Sequence, residues 1–62
     1  MDEERLWCAL EEAPVHALME LALVAARTYD AAENPGDQGT MAALAEWFPR
    51  LREALDKAGL LQ

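Results

Sequence analysis

Cys8, Glu12, His16 and Glu20 recur at intervals of four. On one unbroken helix they would stack a thiol, two carboxylates and the only imidazole along a single face. These are the ligand types of zinc and similar ions. Pro14 falls inside the ladder, however, and the break expected there leaves only His16 and Glu20 as helical neighbours. Spacing without a closed ligand set is a weak signal, so no metal or cofactor is assigned. A metal-binding or enzymatic helical protein, with two His16–Glu20 pairs meeting in an oligomer, ranks as the least favoured reading.

Catalysis has few means in this chain. It contains no serine, its hydroxyls are Thr28, Tyr29 and Thr40, and it has no Gly-rich phosphate loop. A Cys8–His16 nucleophile pair would need two helices to meet at those points, and no third group suggests itself. Glu11 and Glu12 are adjacent, but consecutive helical side chains diverge by about 100° and cannot converge on one substrate atom. The expectation is a protein that is not an enzyme, with Cys8 a small residue at the edge of an apolar face.

The elements that would position these groups are read from proline, glycine and apolar spacing. NPGDQG at 34–39 is the clearest boundary. A type II turn is expected there, with Pro35 second and Gly36 supplying positive φ third, and the preceding helix stopping near Glu33. Beyond it, Met41, Leu44, Phe48, Leu51, Leu55 and Ala58 are spaced alternately by three and four. That seam predicts a helix over 40–58 with Phe48 in its core, capped by Thr40 or Asp37. Trp47 and Ala54 widen the seam, and Glu46–Arg50 and Glu53–Lys57 are i,i+4 pairs in the favourable order.

Pro49 projects among the polar residues of this helix, as does Ala45, whose carbonyl it frees. Water can satisfy that carbonyl, so one Pro-kinked helix is expected. Gly59 suits the C′ position, with Leu60 folding back on Leu55. Pro14, by contrast, projects onto the apolar face formed by Leu6, Trp7, Ala9, Leu10 and Ala13, where a freed carbonyl would be buried. A short helix over 2–11 is therefore expected, followed by a second over 14–33 with Pro14 at its first position.

Helix 14–33 contains the stretch LMELALVAAR, residues 18–27. Its polar residues His16, Glu20, Arg27 and Asp30 fill under about a third of the circumference. One short helix and one bent helix are expected to cover part of the remainder and not all of it. The expected fold is all-α: three helices in a single domain over 1–62, a helical hairpin assembling with a second copy of the chain as a homodimeric helical bundle. The interface is assigned to Trp7, Leu21, Val24 and Trp47, since bulky aromatics anchor interfaces and the two aliphatics lie in the apolar stretch.

Composition bounds the partners. Of 62 residues, 53% are apolar, and the net charge is −7. Residues 1–33 carry −6 of that, eight acidic against two basic, and residues 34–62 carry −1. Without clustered Lys and Arg, direct binding to nucleic acid or to an anionic membrane is not expected. The longest apolar run, Leu21–Ala26, falls far short of the ~20 residues of a bilayer span, and Glu20 and Arg27 interrupt the longer helix. One cysteine forms no internal disulfide, and MDEER is not the opening of a signal peptide, so a cytoplasmic location is expected. The leading function is a non-catalytic, acidic, helical protein–protein interaction module, partnered by itself and by a further protein. The alternative is an acidic inhibitor that occupies the basic surface of a nucleic-acid-binding protein.

Overall fold

Residues 2–61 are described by a computed structural model. Three helices follow one another, α1 (Glu3–Glu12), α2 (Val15–Glu33) and α3 (Thr40–Lys57), with a 3₁₀ turn at Gly36–Gln38 between the last two. Among the described residues there is no strand. The all-helical fold matches the expectation, and each helix boundary falls within one residue of the predicted one.

Asp2 caps α1, accepting the Glu4 N–H at 3.2 Å, and Glu3 and Glu4 lie at its positive end. The chain leaves α1 at Ala13 and passes Pro14 in extended conformation (ψ 144° and 141°). Pro14 is therefore the N-cap of α2 and not its first residue. Its carbonyl accepts the Leu18 N–H at 3.1 Å, which is the acceptor role an N-cap plays. The thiol-to-carboxylate ladder is divided at this point between two helices.

The 34–39 connection differs from a type II turn. Pro35 is helical (ψ −14°) rather than extended, and the chain tightens into the 3₁₀ turn. Gly36 does take the positive φ expected of it, +71°. Gly39 is the N-cap of α3, so Thr40 already has helical geometry and neither its hydroxyl nor the Asp37 carboxylate caps the helix. At the other end the predicted Schellman closure is present. Leu60 N–H donates to the Leu55 carbonyl at 2.9 Å and Gly59 N–H to that of Asp56 at 3.0 Å, with Gly59 at φ +77°. Helix α3 runs unbroken through Pro49. Pro49 and Ala45 are both exposed, so the freed carbonyl is on the solvent side.

Helices α2 and α3 pack along their lengths as an antiparallel pair, whereas α1 makes only slight contact with them. Lys57 near the end of α3 reaches Glu20 near the start of α2 at 3.4 Å, and Glu53 at 3.7 Å. Half-exposed pairs of this kind contribute little to stability. The packed face of α3 is lined by Ala43, Ala54 and Ala58, all at most 2% exposed, with Trp47 and Leu51 half-buried beside them. Phe48 is 54% exposed, which overturns its placement in the core, and Met41 at the start of the same seam is 81% exposed. Alanines let two helix backbones approach closely, so the hairpin closes on the alanine stripe and leaves the bulkier flank of the seam outside. On α2 the covered side is Ala17, Leu18, Leu21, Val24 and Thr28. Thr28 is buried with its hydroxyl donated to the Val24 carbonyl at 2.8 Å.

The outcome is a thin molecule. Its extents are 40 × 23 × 15 Å and its radius of gyration 12.9 Å, against about 10.6 Å for a compact chain of this length. A depth of 15 Å holds one layer of helices, each 10–12 Å across with side chains (roughly). Among the described residues no large side chain is fully buried.

Candidate functional site

The groups with chemical potential do not converge. Cys8 is free and exposed on α1, while His16 and Glu20 stand one turn apart on α2, both exposed. Together with Met19 and Leu23 they line a shallow groove on the outer side of that helix. Among the described residues no three His, Cys, Asp or Glu side chains come close enough to hold a metal ion. A second depression borders Pro49, Arg52, Glu53, Asp56 and Leu61, with no nucleophile or imidazole in it. No helix of the described residues is long and apolar enough to cross a membrane.

What the structure does present is bare apolar surface. Val15, Met19, Leu23 and Tyr29 of α2 are each at least 60% exposed, and Met41 and Phe48 of α3 are more than half exposed. Glu20 and Lys57 mark one edge of the α2–α3 seam. Projected at 100° per residue, Val15, Ala22 and Tyr29 fall at the opposite edge of α2, and Met41 and Phe48 at the same edge of α3. The exposed apolar groups thus form one continuous flank of the hairpin, which wraps around α2 as far as Met19 and Leu23. Contiguous exposed apolar surface of this extent marks an interaction site more often than scattered residues do.

The residues singled out in the sequence take different places. Trp7 is 60% exposed on α1. Trp47 is half-buried, with the Arg50 guanidinium over its ring at 4.6 Å from the centroid, a cation–π contact that replaces the anticipated Glu46–Arg50 pair. Leu21 and Val24 are half-buried on the side of α2 turned toward α3. The fully exposed stripe is centred about a third of a turn from Leu21 and about half a turn from Val24. Its signal was present in the sequence: Val15, Met19, Ala22, Ala26 and Tyr29 alternate in steps of four and three, a second seam on the same helix as the first.

Compared with family models, with curated proteins and with solved structures, the chain shows no significant similarity.

Proposed function

We propose that this chain is a non-catalytic, acidic, helical protein–protein interaction module whose partner is a second copy of itself. The observation that carries this is the bare flank of α2 and α3: six large apolar side chains more than half exposed, while no large side chain among the described residues is fully buried. Surface area supports this reading in magnitude. A folded monomer of 6.9 kDa exposes about 4,000 Å² by the general scaling of area with mass, whereas this one exposes 4759 Å². The excess is close to the roughly 800 Å² that each partner contributes to a standard interface. A chain that pairs in this way is stabilised by mass action. Its thermal unfolding midpoint, followed by circular dichroism over a hundredfold range of concentration, is expected to rise with concentration. A midpoint independent of concentration contradicts the reading.

A further, basic protein partner is the second reading, and α1 favours it. Trp7 projects from a helix that carries exposed Glu3, Glu4, Glu11 and Glu12 and barely touches the hairpin. Occupation of a basic, nucleic-acid-binding surface by this helix would weaken steeply with salt. The exposed free thiol of Cys8 suits a reducing compartment such as the cytoplasm.

A further inference from the structure

We infer that the second copy docks α2 against α2 in antiparallel orientation, about a two-fold axis passing between Ala22 and Ala26. This rests on the self-association proposed above and adds its geometry. The exposed seam Val15, Met19, Ala22, Ala26, Tyr29 has the four–three alternation of a helix-pairing stripe. Turned end for end on itself, it sets Ala22 opposite Ala26 of the second copy and Met19 opposite Tyr29. Small residues then meet at the centre, where the backbones can approach, and a thioether meets an aromatic ring on either side. Leu23 falls beside its own counterpart next to the axis.

The charges of α2 decide between the two orientations. Its N-terminus has Pro14 as cap, without a side-chain acceptor, and no acidic residue in the first turn. Its C-terminal turn has no basic residue and instead carries Asp30 and Glu33. The C-terminal end therefore has the wrong charge for its own helix dipole, while the N-terminal end lacks a compensating carboxylate, so the two ends complement each other between copies. Antiparallel pairing brings Asp30 and Glu33 of one copy beside the uncapped N-terminus of the other. There the imidazole of His16 can donate to the Asp30 carboxylate, which already accepts Asn34 Nδ2 at 3.1 Å and has acceptor sites to spare. Parallel pairing would instead stack Asp30 on Asp30 and Glu33 on Glu33.

The test uses the full chain with Cys8→Ala as parent, and Met19→Cys and Tyr29→Cys each added singly. Both positions are exposed in the monomer, so neither substitution disturbs the hairpin. In the antiparallel register, each new thiol is about 15 Å along the axis from the same position on the second copy but level with the other variant's. A short bismaleimide should cross-link the mixture of the two variants and fail to cross-link either alone. Sedimentation equilibrium of the cysteine-free parent separates this from the underlying proposal. A dimer in which each variant cross-links alone is parallel and overturns the inference while self-association stands. A dimer with no cross-link in any sample places the interface elsewhere and also overturns it. A monomeric parent overturns both.

Discussion

Replacing Leu23 with glutamate is the sharpest perturbation of the proposed pairing. Leu23 is 60% exposed and sits next to the inferred axis, so one substitution acts twice. Complete burial of a leucine side chain is worth about 1.5–3 kcal/mol. Losing the burial of the exposed 60% therefore costs about 1–2 kcal/mol per copy, or about 2–4 kcal/mol per dimer by the same coefficient. Two carboxylates brought face to face add about 1 kcal/mol at a separation of ~4 Å even in bulk water. The total of about 3–5 kcal/mol corresponds to a dissociation constant raised roughly 10²- to 10⁴-fold. The hairpin itself should be unharmed, because glutamate is a good helix former and at position 23 it precedes Arg27 by four residues. Sedimentation velocity on a dilution series reads the association, and far-UV circular dichroism of the monomer reads the fold. Unchanged self-association with unchanged helicity would refute the assignment of this stripe as the interface.

The remaining predictions concern the hairpin. Ala54→Leu, at a position only 2% exposed between α2 and α3, should destabilise the fold by about 1–3 kcal/mol through overpacking, read as a lower urea midpoint. Gly59→Ala places a side chain at φ +77° with nothing within 4 Å of the added carbon. The cost is therefore conformational, about 1–2 kcal/mol, and is checked by denaturant unfolding. Pro49→Ala restores the missing N–H to the exposed carbonyl of Ala45 and removes the ring from an unbroken helix. It should raise stability, by at most about 3 kcal/mol, seen as a higher unfolding midpoint with unchanged oligomeric state.

The helices were legible in the sequence because proline and glycine act locally. Pro14 has no N–H to continue α1 on a face that would be covered, Pro49 is tolerated where its face is exposed, and Gly59 supplies the positive φ with which α3 closes in both Schellman bonds. The over-apolar character of residues 14–33 was equally plain, and the structure bears it out: Val15, Met19, Leu23 and Tyr29 remain uncovered by the rest of the chain. The rotation of the helices about their own axes was not legible. Phe48 is large and centred in its seam, so size favours it as core. Two helices pair most closely where side chains are smallest, however, and Ala43, Ala54 and Ala58 draw the contact to their side. The same rotation turns Leu21 and Val24 inward and leaves the neighbouring stripe outward. Because alanine fits either a core or a surface, its role is set by what packs against it, and that is absent from a one-dimensional pattern.

The central claim is that another polypeptide of the same sequence covers the flank of α2. Sedimentation equilibrium of the unaltered chain at micromolar concentration tests it most directly. The expected mass is twice the 6.9 kDa of one chain, falling toward the single-chain value on dilution. A mass of one chain at every concentration up to the millimolar range would contradict it.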